Sequence, residues 1–241
     1  SPSQIIIVRS SVFPRACQQI INILGEKENW HLAYCPERIA QGYALKELEI
    51  LPQVVAGFTD HAIEESAKLF RKITKKIIKA TMGQAELVKL FSNSYRYIQF
   101  AIANQFYMIA NDFGENYDDI REIMLDGYDR ASGLPSAGFA AGPCLLKDTM
   151  QLASFNNYQF LLGHAAMHVN EGLPNYIVDT LKWEFDLKKN TVGILGMAFK
   201  ANVDDIRDSL SFKLRKILNF EGAQVICSDE FYQNSDFISK E

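Results

Sequence analysis

None of the four cysteines in this 241-residue chain, Cys17, Cys35, Cys144 and Cys227, belongs to a CxxC pair, and all lie far apart. That spacing offers neither a zinc site nor a disulfide framework, and it fits a reducing, cytoplasmic setting. Positive charge is not in excess either. With a formal net charge of -4 and no basic stripe to neutralise a phosphate backbone, a nucleic-acid binder is excluded. The densest basic run, residues 69–80, mixes helical and strand periods among its apolar residues and reads as a solvated face beside a core stripe. No apolar run approaches the roughly 20 residues that span a bilayer, and the amino terminus has no signal-peptide pattern. His164 and His168 have the spacing that can hold a metal on a helix, but no acidic residue lies between them as in HExxH, so no metal is expected.

What is present suits a soluble globular protein: 48% hydrophobic and 22% charged residues, enough for a substantial core in one or two domains. Ile5 to Val8 is a continuous apolar run, which predicts a buried parallel strand. A helix over 15–24 and strands over 31–35, 53–57 and 77–80 follow, with a helix over 62–69 between the last two. From Gly83 to Phe113 no proline and no internal glycine interrupts a pattern of apolar residues at spacings of one, three or four. This predicts a long helix with apolar and aromatic residues on more than one face, hence one that packs on a partner helix, in this chain or in a second subunit. Helices are expected over 117–125 and 150–162, and again over 163–185. Thr191 to Gly196 reads as a buried strand, 210–220 as an amphipathic helix and 223–228 as a second strand, together a βαβ unit. The expected organisation is therefore α/β: parts of two Rossmann-like doubly wound domains, 1–80 and 189–241, flanking a central all-helical dimerisation domain, 81–188. Neither α/β piece has the strands of a complete doubly wound sheet, so the chain reads as an excerpt from a larger protein.

The residues that suggest chemistry begin with Cys144, which ends a glycine-flanked loop and is followed by Lys147 and Asp148. Small residues ahead of it let backbone approach a ligand closely, and a lysine nearby favours the thiolate, the form that attacks a carbonyl carbon. Taken alone, a free cysteine is more often a small buried hydrophobe. Lys89 and Asn93 lie on one face of the long predicted helix, where both reach a common ligand. Taken singly, Lys89, Lys200 and Arg207 fit surface cations, Glu37 and Arg38 a local ion pair, and Asp204, Asp205 and Asp208 a solvated turn.

Five motifs in order change the balance: VRSSVFP at 8–14, CPERIAQG at 35–42, AELVKLFSN at 85–93, GPCLLKD at 142–148 and GILGMAFKANVDDIRDS at 193–209. In that order they resemble the UDP-glucose/GDP-mannose dehydrogenase family along almost the whole chain. The resemblance implies an NAD-dependent, four-electron oxidation of a nucleotide sugar at carbon 6, from alcohol to carboxylate. Cys144 would attack the intermediate aldehyde, and the thiohemiacetal would be oxidised to a thioester that water hydrolyses. Lys89 would stabilise the alkoxide or oxyanion and Asn93 orient it. Asp148 matches a position that manages protons and a bound water, Glu37 the carboxylate linked to thioester hydrolysis and to substrate, and Ser11 a hydroxyl that holds water near the site and the cofactor. Lys147 would sit near cofactor or thiolate. Phe139 and Gly142 would contact sugar from the loop, Lys200 and Arg207 would bind phosphate or uridine, and Arg130 would reach the substrate of a neighbouring subunit in a homodimer.

The glycine fingerprint GxGxxG is nowhere in the chain. The expectation is that this polypeptide by itself binds NAD poorly and is inactive. UDP-glucose is the leading substrate, whereas Val169 to Pro174 resembles members that oxidise UDP-N-acetylhexosamines. A simpler β-hydroxyacid dehydrogenase and a noncatalytic dimerisation module are the competing readings.

Overall fold

The computed structural model describes residues 4–25 and 30–238. The outermost residues of the expected domains, 1–3 and 239–241, lie outside them. The fold is mixed α/β, about half helical, and the chain divides into two compact units: Ser1–Asn93 with Gln151–Tyr158, and Ser94–Met150 with Gln159–Glu241.

The first unit holds a four-stranded sheet in the order β1 (Gln4–Val8), β2 (Trp30–Tyr34), β3 (Gln53–Gly57), β4 (Ile77–Lys79). β1 and β2 are parallel, β3 turns antiparallel to β2, and β4 runs parallel to β3. Helices α1 (Ala16–Leu24) and α3 (Asp60–Phe70) accompany the sheet, together with a short α2 (Ala44–Ile50) that the sequence pattern did not predict. One core gathers Cys17, Leu32, Tyr34, Val54 and Ala56 with Ala85. The other gathers Ala33, Cys35, Val55, Ala62 and Phe70. Thr59 caps α3 by accepting the Ala62 N–H at 3.2 Å. The cap of α1 comes from elsewhere. Arg15, at its start, is left-handed with φ 72° and makes no side-chain cap of its own. Glu86 supplies it: one carboxylate oxygen accepts the Arg15 N–H at 2.7 Å and the other the Cys17 N–H at 3.0 Å. A carboxylate at a helix amino terminus meets both free N–H groups and the positive end of the dipole.

Glu86 lies on α4 (Met82–Phe113), the predicted long helix, 32 residues. In the second unit residues 94–113 of α4 are joined by α5 (Tyr117–Leu125), residues 145–150 of α6 (Leu145–Phe155), α7 (Leu161–Glu184) and the βαβ unit β5 (Thr191–Leu195), α8 (Leu210–Phe220), β6 (Gln224–Ser228). β5 and β6 pair in parallel as expected. α8 packs on them and on α7 through Val178, Ile194, Met197, Leu218 and Cys227. Lys213 of α8 also donates to the Glu171 carbonyl at 2.5 Å.

Three expectations are corrected. β1 and β5 are not fully buried. β1 is an edge of the described sheet with Ile6 37% exposed, and among the described residues β5 has a single strand neighbour, with Leu195 79% exposed. The helix expected over 150–162 instead starts at Leu145, directly after Cys144. It ends at Phe155, where Asn157 and Tyr158 take left-handed φ of 49° and 60° and break the chain direction. Gly163, read as the break, lies inside α7. There a Cβ would stand 2.6 Å from the Phe160 ring, so its small size serves packing.

Candidate active site

In the first unit the loops that follow β1 and β2 lie side by side at the carboxyl ends of two parallel strands, the usual ligand edge of an open α/β sheet. Cys35 N donates to the Val8 carbonyl at 2.9 Å and Glu37 N to the Arg9 carbonyl at 3.1 Å. The Tyr34 hydroxyl donates to the Ser10 carbonyl at 3.2 Å. Ser11 and Glu37 are thereby brought to neighbouring loops. Glu37 is not paired with Arg38. Its carboxylate forms an ion pair with Arg9 and accepts the Arg38 and Ile39 N–H groups at 2.8 and 3.0 Å, while Arg38 reaches back to the Pro52 carbonyl. The partner of Glu37 thus comes from the VRSS motif. On α4, Lys89 is half-buried and Asn93 is 8% exposed.

The second unit holds the cysteine loop. Cys144 is exposed, and its carbonyl accepts the first helical N–H of α6, from Asp148 at 2.9 Å. It therefore occupies the amino-terminal cap of α6, where free N–H groups and the helix dipole stabilise a developing negative charge. Asp148 is fully buried and pairs with the exposed Lys147 at 3.2 Å, so the ammonium of Lys147 serves that carboxylate. Gly142 has φ +99° and a Cβ there would stand 2.6 Å from the Phe199 ring. Gly142 N also donates to the Asp208 carbonyl at 3.3 Å. The loop is thus laid directly on the segment that carries Lys200 and Arg207.

Arg207 grips Asp205 with Nε at 3.0 Å from both carboxylate oxygens and Nη2 at 2.6 Å from one. Those hydrogen bonds and the charge of Asp205 hold its guanidinium charged more firmly than usual. Lys200 lies 5.8 Å from the centre of the Phe199 ring. Phe139, Phe199, Lys200 and Asp229 line one cavity of about 450 Å³. Arg130 stands over the Tyr128 ring at 4.7 Å in a 3₁₀ turn and does not line it.

Asp229 and Phe199 were not singled out from sequence. Asp229 follows β6, and one of its oxygens accepts the Met197 and Ala198 N–H groups at 2.6 and 2.9 Å, the other those of Phe231 and Tyr232 at 2.8 Å each. Burial pushes this carboxyl up, but the four N–H groups outweigh it and hold the carboxyl below its ordinary value. An aspartate directly after a short apolar strand was the available signal.

The other cysteines are chemically quiet. Burial, then Glu86, pushes the Cys17 thiol up to about 12, burial pushes Cys35 up to about 11, and burial raises Cys227 as well. At neutral pH the thiolate fraction of Cys17 and Cys35 is below about one part in a thousand. Brief iodoacetamide treatment at neutral pH should therefore alkylate Cys144 and spare the other three, as read by peptide mass spectrometry; comparable labelling of Cys17 or Cys35 would contradict the burial that isolates them.

The chain matches three models of one family: its NAD binding domain over residues 1–77, its central domain over 83–172 and its UDP binding domain over 193–239. It is 30% identical over 235 residues to UDP-N-acetyl-D-mannosamine dehydrogenase of Methanocaldococcus jannaschii, covering 97% of this chain and 54% of that protein. It is 29% identical over 244 residues to UDP-glucose 6-dehydrogenase of Haloferax volcanii, covering 94% and 57%. The solved structure of a UDP-D-ManNAc dehydrogenase from Pyrococcus horikoshii superposes with a TM-score of 0.86 at 26% identity, over 95% of this chain and 57% of that one. The chain spans about half the length of the curated relatives it matches. With its NAD-binding, central and UDP-binding segments matched in that order, the chain belongs to the UDP-glucose/GDP-mannose dehydrogenase family.

Proposed function

We propose that this chain, in its full-length protein, takes part in the oxidation of a UDP-sugar at carbon 6 from alcohol to carboxylate. The observation that carries the reading is an exposed cysteine at a helix amino terminus, on a loop packed against the segment 199–208 of the UDP-binding match. The family's NAD-binding domain and the dehydrogenase names of relatives point to NAD as cofactor, which when bound supplies the hydride acceptor for both oxidations. Residues 1–77 contain no GxGxxG turn, and the β1–α1 connection contains no glycine, so these residues do not form a glycine cradle for the dinucleotide phosphates. Ser11 and Lys147 are the residues of this chain assigned to its neighbourhood.

The chain's own steps are these. The Cys144 thiol adds across the aldehyde C=O: the S–C bond forms as the C=O π bond opens, and the proton that sulfur gives up goes to the carbonyl oxygen, giving a thiohemiacetal and retaining the reactive aldehyde. After the second oxidation, water adds to the thioester carbon and the C–S bond breaks, returning the thiol and releasing carboxylate. Lys89 and Asn93 have the alkoxide-stabilising role, Asp148 and Glu37 the proton-handling roles. Phe139 and Gly142 are assigned to sugar, Lys200 and Arg207 to substrate phosphate or uridine, and Arg130 to the substrate of a second subunit. The segments 1–80, 81–188 and 189–241 are the corresponding NAD-binding, dimerisation and UDP-sugar-binding parts, the outer two Rossmann-like. The dimer reading is supported by an apolar groove of about 350 Å³ between α4 and α5, lined by Phe106, Ile109, Phe113, Ile120 and Met124. No helix among the described residues is long and apolar enough to cross a membrane, and the cytoplasm is the proposed setting.

UDP-glucose was the first expectation from sequence. The Val169 to Pro174 segment and the names of several relatives favour a UDP-N-acetylhexosamine, so both are tested. The full-length protein should yield two NADH per sugar consumed on one of them, measured by absorbance against sugar loss; one NADH per sugar removes Cys144's role, and none on any UDP-sugar removes the reading.

A further inference from the structure

Between the 3₁₀ turn that ends at Ala131 and the start of α6 at Leu145 the chain has no regular structure, so besides the α6 cap and the Gly142 backbone bond, Cys144 is held in space by side chains that anchor this stretch. Part of the anchoring is apolar. Ala140 and Leu145, 3% and 8% exposed, pack with Tyr97, Ala101 and Ala166. The other part is polar and buried. Asn104 on α4 and Asn170 on α7 are both 0% exposed. Asn104 Oδ1 accepts the Gly138 N–H at 2.7 Å, and its Nδ2 donates to the Gly138 carbonyl at 2.9 Å. The same Nδ2 donates to Asn170 Oδ1 at 2.9 Å, and Asn170 Nδ2 donates to the Tyr97 carbonyl at 3.0 Å.

We propose that Asn104, braced by Asn170, is the positioning residue of the Cys144 loop. Its amide exchanges two hydrogen bonds with one residue's backbone, as paired residues of neighbouring strands do, and so fixes the place of Gly138 and the orientation of the two peptide groups that flank it. Gly138 has φ +153°, a conformation that other residues rarely adopt and that leaves both its N–H and C=O presented to the amide. Burying two amides is costly unless their groups are used, and here each bonds to backbone or to the other. An apolar pair would fill the same space without dictating a peptide orientation. What the amides add is geometry, and a nucleophile displaced by about 1 Å loses about 100-fold in rate.

The inference rests on the reading of Cys144 as nucleophile, and the test separates the two. The full-length protein and its Asn104→Ala variant are compared for NADH per UDP-sugar, for aldehyde trapped by hydroxylamine, and for the rate of each oxidation. The expected result is a first oxidation within about threefold of wild type, a second slowed about 100-fold, trapped aldehyde, and an NADH yield between one and two. A variant that keeps two NADH at the wild-type rate, or that slows both oxidations equally, overturns the positioning role. A wild type that never reaches two NADH overturns the underlying reading instead. If Asn104→Ala does not fold, the isosteric Asn104→Asp decides. Ionised, its second oxygen faces the Gly138 carbonyl and Asn170 Oδ1 and should leak aldehyde. Protonated in acid, it regains a donor and should recover the wild-type partition. Wild-type partition at every pH overturns the proposal.

Discussion

Cys144→Ser in the full-length protein stops the reaction after one NADH per sugar and releases aldehyde that hydroxylamine captures. Formation of carboxylate falls by about 10³-fold or more, while the first oxidation stays within about threefold of wild type. The asymmetry follows from chemistry. The alcohol loses its hydride without help from sulfur, but a free aldehyde has no C–O–H or S–C–O–H arrangement from which a second hydride departs until a nucleophile adds. A serine hydroxyl is a far poorer nucleophile at neutral pH than a thiol. Because Cys144 is exposed at the head of α6, the exchange removes no core packing. Unchanged stability by thermal melting together with a lost second oxidation is the expected pair of results; two NADH at the wild-type rate would sink the nucleophile assignment.

Glu86→Ala is expected to destabilise the first unit strongly. Glu86 is 3% exposed, and its removal leaves the Arg15 and Cys17 N–H groups without the acceptor that now sits 2.7 and 3.0 Å away. Hydrogen bonds to a charged group contribute about 1.5–3 kcal/mol each, but the two share one carboxylate, so a loss of about 3 kcal/mol is expected. The left-handed Arg15 adds to this, since its strained backbone is held by that bond and by its guanidinium over the Phe155 ring at 5.9 Å. Denaturant unfolding followed by circular dichroism reads the change. Glu86→Gln should lose less, because an amide oxygen still accepts while the other position turns donor. A Glu86→Ala loss under about 1 kcal/mol would show that water caps α1 as well as the carboxylate does.

Periodicity revealed the framework because each element obeys local rules. The strand at 53–57, the helix at 117–125 and the uninterrupted run to Phe113 carry their patterns in consecutive residues. It failed where structure depends on distant partners. Whether the apolar run 5–8 is buried depends on what lies beside it. Gly163 reads as a break until the Phe160 ring is known to lie against it. The site behaved alike. Cys144, Lys89 and Glu37 were visible as chemistry-bearing residues in motifs, but the groups that hold such residues in place were not. Glu37 is partnered by Arg9, twenty-eight positions away, and Asp229 ties the 197–198 and 231–232 backbones together. Buried acids on an otherwise apolar face or after a strand were the only trace of that support.

The contact between Gly142 and Phe199 also bears on how such a protein changes over generations. With φ at +99° and an aromatic ring where a methyl would go, position 142 is closed to every other residue unless the ring moves first. Change in the Cys144 loop must therefore enter through neighbours such as Phe139 and Ala141, or begin at Phe199 with a smaller side chain that opens the way. The order in which substitutions arrive is written into this one contact.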